Sequence, residues 1–388
     1  MKSNYILITL ISICIISNTI QAQNKKSFKP GTVWTDNNGS PINAHGGGII
    51  YVDGIYYWYG EHKLPNKSEK EKADGGVHCY SSTDLYHWED KGVVLSVDYK
   101  NEKSDITDGC ILERPKVIYN EATSKYMMYF KLYPKGQDYK YGYLGVATAI
   151  SPTGPFTYSH KFLGADSPYG SGDFCIYKDD DGKVYHFTVR KPDKAFVAGE
   201  LNKEYTYPQG KYKVVTGITN ETEAPAIFKH KGTYYLLGSG SSGWKPNAVR
   251  LFTSKSITGD YTEKSNPCHG VNSYNGLGPE KTFGGQSSFI IPVQGKKDSY
   301  IAMFDIWKPK MPIEGFYIWL PIKFHNKDIS IEWKDKWDLS RDIPKIIKFK
   351  ATTSLRISWL FCIFRYSRAT RSRISNCLAL RLNLLFRQ

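Results

Sequence analysis

Arginine is almost missing from the first 350 residues, where Arg114, Arg190, Arg250 and Arg341 stand against 41 Lys. Methionine is scarce too, at 5, and the 7 Cys are scattered. Cys79, Cys110, Cys175 and Cys268 are too few and too far apart for a disulfide scaffold, so buried free thiols are the plainer reading. No Cys or His pair has the spacing of a zinc site, no Gly-rich loop opens a helix, and no Gly-x-Ser-x-Gly elbow occurs. Metal-dependent, nucleotide-binding and serine-hydrolase chemistries lose their usual signatures with them, and no metal or cofactor is expected. Helical periodicity is nearly absent. Beyond the N-terminus no apolar run is long enough to cross a bilayer, so no membrane span is expected.

The N-terminus has its own character. Lys2 precedes an apolar run from Tyr5 to Ile16, and Ala22 offers a small residue for cleavage. Residues 1–22 read as a signal peptide, too short for a comfortable span. Cys14 lacks the small residues that precede a lipidated cysteine. Export follows as an expectation, to the periplasm, the cell surface or the medium.

What the chain has in quantity is aromatic residues and glycine: 29 Tyr, 18 Phe, 9 Trp and 34 Gly. They fall into a repeat. Five segments run as a buried strand, a polar turn and an aromatic-rich strand: 47–59, 115–130, 174–187, 223–237 and 288–304. Further strands and polar turns ending in an aromatic follow several of them, as in Ser82-Thr83-Asp84-Leu85-Tyr86 and Ser256-Ile257-Thr258-Gly259-Asp260-Tyr261. About four strands per unit, recurring at a spacing of about 50 residues or somewhat more, describe propeller blades. An all-β, five-bladed β-propeller over residues 23–341 is the predicted fold. Phe316–Leu320 and Ile329–Trp333 complete its last blade.

In a propeller the innermost strands surround an axial channel, so polar residues immediately before those strands converge although distant in sequence. Those residues are His45, Glu113, Arg114, Asp173, Glu223 and Gln286. A ring of carboxyl groups around a funnel suits glycoside hydrolysis, in which one acid protonates the leaving oxygen and another group handles water or tunes that acid. Trp244 and Tyr141 are candidates to stack on a sugar ring. A polysaccharide or oligosaccharide is the expected partner, with no role for nucleic acid and a monomer as the expected state.

The repeat and its carboxylates resemble glycoside hydrolase family 43. Tyr59-Gly60-Glu61-His62-Lys63, Leu112-Glu113-Arg114-Pro115-Lys116-Val117, Glu223-Ala224-Pro225-Ala226 and Gly284-Gly285-Gln286-Ser287 resemble more narrowly its exo-β-1,3-galactanase branch. The resemblance implies an inverting exo-glycosidase that releases galactose from β-1,3-galactan. It implies Glu223 as general acid and Glu113 as the carboxylate that raises its pKa and holds the sugar. Glu61, Arg114, Tyr141, Asp173, Ser242 and Trp244 match sugar-binding positions. Where most of the family has a first-blade Asp as base, this chain has Ala44-His45-Gly46-Gly47-Gly48. The galactanase branch shares that loss and places a Gln where Gln286 stands, so Gln286 is the third catalytic candidate. Other family 43 exo-glycosidases, an arabinofuranosidase or xylosidase, would keep the Asp. A sugar-binding propeller without catalysis is the remaining alternative, against which the retention of both Glu113 and Glu223 counts.

The C-terminus changes again. Residues 351–388 carry seven Arg and no Lys, Asp, Glu, Gly or Pro. Nothing in residues 342–388 repeats a blade, and a frameshifted or disordered end after a finished propeller is the expectation. Without those seven Arg the formal charge falls from +15 to +8, which weakens any inference to nucleic acid.

Overall fold

The repeated hairpins form because each first strand is rich in apolar and β-branched residues and each return strand is rich in aromatics. In the first, Ile49 stands opposite Trp58 and Ile50 opposite Tyr57; in the fourth, Ile227 faces Leu236 and Phe228 faces Tyr235. Cross-strand pairs of this kind stabilise a sheet by roughly 0.2–1 kcal/mol each. The computed structural model describes residues 26–326 and 328–342. The leader at 1–22 and, from 343 onward, the Arg-rich tail lie outside the described residues.

Among the described residues twenty-one strands make five sheets, antiparallel except for the pairing of β17 with β21, and these are the blades of a five-bladed β-propeller. Blade 1 is β1 (His45–Val52), β2 (Ile55–Lys63), β3 (Asp74–Ser82) and β4 (Glu89–Ser96). Blade 2 is β5 (Ile111–Asn120), β6 (Lys125–Tyr133), β7 (Tyr143–Ala149) and β8 (Thr157–Leu163). Blade 3 is β9 (Ser171–Lys178), β10 (Val184–Arg190), β11 (Phe196–Glu200) and β12 (Lys213–Val214). Blade 4 is β13 (Glu223–His230), β14 (Thr233–Ser239), β15 (Val249–Ser254) and β16 (Thr262–Lys264). Blade 5 is β18 (Gln286–Pro292), β19 (Tyr300–Ile306), β20 (Phe316–His325) and β21 (Asp328–Glu332), and the preceding segment adds β17 (Cys268–His269) in parallel outside β21. The first strands β1, β5, β9, β13 and β18 pack side by side in a closed ring around the axis.

The cores lie between neighbouring blades. The largest joins blades 1, 4 and 5 to the N-terminal segment and holds Trp58, Trp88 and Trp319, with Trp58 and Trp319 4.8 Å apart between ring centroids. Phe28 pairs with Trp337 in a short bridge and stacks on it at 4.5 Å, so the start and the end of the domain are tied together beside the first blade. Cys79, Cys110, Cys175 and Cys268 are buried free thiols, each with its pKa pushed up by burial. Among the described residues no helix is long and apolar enough to cross a membrane.

The polar ring residues do not precede their strands, as the sequence suggests; they lie inside them. Pairing slips between His45 and Gly48, between Glu113 and Lys116, between Glu223 and Ala226, and between Ser287 and Phe289. A β-bulge at each point breaks the period-2 alternation from which a strand is read, so the strand extends past the break.

Candidate active site

Blades 2 and 4 use one local device. Near its start each first strand carries a Glu, a residue in left-handed conformation and a Pro: Glu113-Arg114-Pro115 and Glu223-Ala224-Pro225, with φ of 54° at Arg114 and 52° at Ala224. The left-handed conformation costs an L-residue about 1–2 kcal/mol. Here the exposed N–H is put to use. Arg114 N donates to Glu61 Oε1 at 2.9 Å, and Ala224 N donates to Asp173 Oδ2 at 3.1 Å. The Pro that follows has no N–H to leave unpaired at the bulge. Each bulge therefore aims a glutamate into the channel mouth and binds the backbone to a carboxylate of the adjacent blade.

These residues line a cavity of about 320 Å³ at the starts of the first strands, near the lower end of the range for ligand pockets. A larger cavity of about 720 Å³ opens at the other ends of the same strands, lined by Lys116, Lys178, Lys229 and Tyr300 among others. It lacks the convergence of carboxyl groups that makes the smaller one the candidate site. Arg114 is its hub. Its Nε lies 3.0 Å from Asp173 Oδ2, and its Nη2 donates to Gln286 Oε1 at 2.6 Å. Glu61 is held from behind by the fully buried Lys63, whose ammonium also reaches Glu69 and Asp74, at 2.9, 3.0 and 2.7 Å respectively. Removing Lys63 would leave three buried carboxylates without a counter-charge, a loss of several kcal/mol.

Burial and crowding of like charge set the protonation of the two glutamates. Glu223 is raised to about 7, by burial and then by the charge of Asp173, while the Ser241 hydroxyl, donating to its Oε1 at 2.9 Å, opposes the shift. Glu113 is raised to about 8, by burial and then by Glu61 and Asp173. Both are thus held as acids up to near-neutral pH, the state a proton donor needs. The neighbour that acts on Glu223 is Asp173, not Glu113 as the sequence reading expects, because Asp173 is the carboxylate joined to the backbone of the same bulge.

The model of glycosyl hydrolases family 43 matches residues 41–298. The chain belongs to family 43. It is a glycosidase. Among solved structures it is similar to a family 43 β-1,3-galactosidase, at 36% identity and a TM-score of 0.73, over 80% of this chain and 100% of that one. It also resembles exo-β-1,3-galactanases from Phanerochaete chrysosporium (31% identity, TM-score 0.68, 80% of this chain and 68% of that one) and from Clostridium thermocellum (30%, 0.70, 82% and 68%). A levanbiose-producing levanase from Geobacillus stearothermophilus is 25% identical over 245 residues, spanning 59% of each chain, so family 43 resemblance alone does not specify the sugar.

Within this family 43 frame the first blade is closed to a base. Gly46 has φ of 59°, and a Cβ there would strike the Glu61 carboxylate and come within 3.1 Å of the Trp307 ring. A Cβ on Gly47 would overlap the Tyr59 carbonyl oxygen. Glu61 and the β2 backbone occupy the volume that an aspartate side chain would need. His45 does not join the ring of pocket residues either. Its imidazole is buried against Tyr317 at 5.2 Å, and burial followed by the charge of Lys63 lowers it to about 3.

Glu61, Glu113, Arg114, Asp173, Glu223, Trp244 and Gln286 come together around the cavity. Tyr141 and Ser242 do not. Tyr141 stacks on Tyr169 outside it, because turns at Gln137 and Lys140 fold the loop so that Tyr139 lies over the site instead, donating to Glu113 Oε1 at 3.0 Å. Ser242 Oγ donates to Lys245 O and accepts from Asn247 Nδ2, both at 2.6 Å, and so shapes the turn that carries Trp244. Tyr133, Tyr139, Lys191 and Trp307 line the pocket without having been singled out from sequence. Tyr133, Lys191 and Trp307 lie at or just past the end of the second strand of a blade, and Glu61 lies near the end of β2. An antiparallel return strand ends where its partner begins, so strand exits face the same mouth as strand entrances. That rule would have found them. Among the described residues no group of three or more His, Cys, Asp or Glu is placed to hold a metal ion.

Proposed function

We propose that this glycosidase is an exo-acting, inverting β-1,3-galactanase that releases galactose from the non-reducing end of β-1,3-galactan. The observation that carries the reading is the pairing of Gln286 with two glycines. A neutral amide lines the same cavity as Glu223, and Gly46 and Gly47 leave no room for the first-blade Asp expected of an arabinofuranosidase or xylosidase. The β-1,3-galactosidase and galactanase structures at 30–36% identity support the same substrate.

In the proposed reaction the terminal galactose occupies the cavity, oriented by Glu61, Arg114 and Asp173, with the Trp244 and Trp307 rings at its wall. Glu223, protonated below about pH 7, gives its proton to the glycosidic oxygen as the bond to the anomeric carbon breaks. Water attacks the opposite face, which inverts the configuration; its surplus proton passes to solvent, and the Glu223 carboxylate takes a proton back from solvent to close the cycle. Glu113 remains in its acid form under the same conditions and binds sugar hydroxyls. A signal peptide at 1–22 would deliver the enzyme to polysaccharide outside the cytoplasm.

The test is digestion of β-1,3-galactan followed by NMR of the first product formed. Free α-galactose appearing ahead of mutarotation is the expected result. β-Galactose as first product, or turnover of aryl arabinofuranosides or xylosides in preference to galactan, would overturn the assignment.

A further inference from the structure

Gln286 stands where the proposed reaction needs water to be handled, and its amide is not free to turn. Oε1 accepts from Arg114 Nη2 at 2.6 Å and from Trp307 Nε1 at 2.9 Å, while Nε2 donates to Ser239 Oγ at 2.9 Å. Guanidinium and indole N–H groups can only donate. The Gln286 atom that faces them must therefore be the carbonyl oxygen. Two consequences follow. Both lone pairs of the oxygen are taken, so it has none left for a water. The hydroxyl–imine tautomer would set an O–H against two N–H donors, and neither neighbour could accept or relay its proton. The second N–H of Nε2 is the group this amide still has to offer.

Trp307 is built into the site on three sides. Its ring lies 5.6 Å from the Arg114 guanidinium and packs edge-on to Trp244 at 5.7 Å. It fills space that a side chain on Gly46 would contest at 3.1 Å. It follows β19 directly, and β19 pairs with the strand of Gln286 through Gln286 and Asp305, so the indole and the amide are held by one hairpin.

We infer that Trp307 is a positioning residue: its indole N–H, together with Arg114, locks Gln286 as an amide that serves the reaction by donating a hydrogen bond and does not accept the proton of the attacking water. The inference rests on the galactanase reading for its substrate, but not for the state of the amide.

Trp307→Phe keeps the ring and deletes the N–H. On β-1,3-galactan, kcat should fall about tenfold, the scale of one lost hydrogen bond in a site, with KM changed less than about threefold. Trp307→Leu, which also loses the ring, should raise KM in addition. Side-chain 15N labelling of glutamine supplies a readout that needs no substrate. The Gln286 signal, assigned by its loss in Gln286→Ala, should stay a two-proton amide pair from pH 5 to 8, and Trp307→Phe should shift it. A kcat within twofold of wild type in Trp307→Phe would overturn the inference, as would a single-proton nitrogen signal for Gln286. A wild-type enzyme inert on galactan would overturn the substrate assignment and leave the amide spectra as the test of this one.

Discussion

Glu113 and Glu223 sit on the same local device in blades 2 and 4, yet the two sites differ in what surrounds the carboxyl group. At Glu113 the left-handed residue is Arg114, whose side chain reaches Asp173 and Gln286; at Glu223 it is Ala224, which contributes backbone groups alone, its N–H to Asp173 and its C=O to the Ser287 hydroxyl. Glu113 lies under the Tyr139 hydroxyl and is raised to about 8 by burial, then by Glu61 and Asp173. Glu223 takes a hydroxyl from Ser241 and is raised to about 7 by burial and then by Asp173. One bulge thus sets two carboxyl groups, both raised by burial, in different surroundings: Glu113 under a phenol and Glu223 beside a serine hydroxyl. The difference comes from the residue between Glu and Pro, from the Tyr139 and Ser241 loops of the same blades, and from Glu61 of blade 1 beside Glu113.

The largest expected effect separates the two glutamates outright. Glu223→Gln should cut kcat on galactan about a thousandfold, within the range for loss of a general acid, while galactose binding followed by calorimetry persists. Glu113→Gln should cost about tenfold, because a neutral amide resembles the neutral acid already present. Equal losses in the two variants would erase the distinction between them.

Asp173→Asn sharpens the comparison through pH. Its charge raises Glu223, so removing it should lower the Glu223 pKa and move the alkaline limb of the kcat/KM profile from near 7 toward acid. The rate should fall about tenfold to a hundredfold as the partner of Arg114 is lost. An unmoved limb would mean that Asp173 does not tune the acid.

The smallest effect is on stability. The folded-state pKa of Glu113, about 8, lies above its ordinary value, so the fold binds this proton more tightly than the unfolded chain does. That contribution is fully present below about 4.5 and is lost as pH rises through about 8. The wild-type Tm should therefore fall between pH 5 and 8 by more than that of Glu113→Gln. At pH 8 the variant should melt higher by about 2–4 °C, the shift that about 1 kcal/mol produces in a sizeable domain. A Tm difference that does not change with pH would show that the Glu113 charge is not felt by the fold.

The period of the hairpins, the number of blades and the carboxyl groups at the channel mouth were determined by the sequence alone. They are local: apolar and aromatic strands, turn residues between them, and a Glu-x-Pro at the same point of two repeats. Gly46 and Gly47, too, announced from sequence that the first blade carries no carboxylate. What the sequence could not decide depended on distance across the axis. Tyr139 rather than Tyr141 reaches Glu113 because two turns fold one loop, and a two-residue offset within a loop leaves no periodic trace. Asp173 rather than Glu113 tunes Glu223 because an N–H of blade 4 meets a carboxylate of blade 3. Trp307, an ordinary aromatic after an ordinary strand, gains its role from the amide that strand pairing sets beside it. Electrostatics and donor–acceptor matching act through space, between groups that only the closed ring of blades brings within a few ångströms of one another.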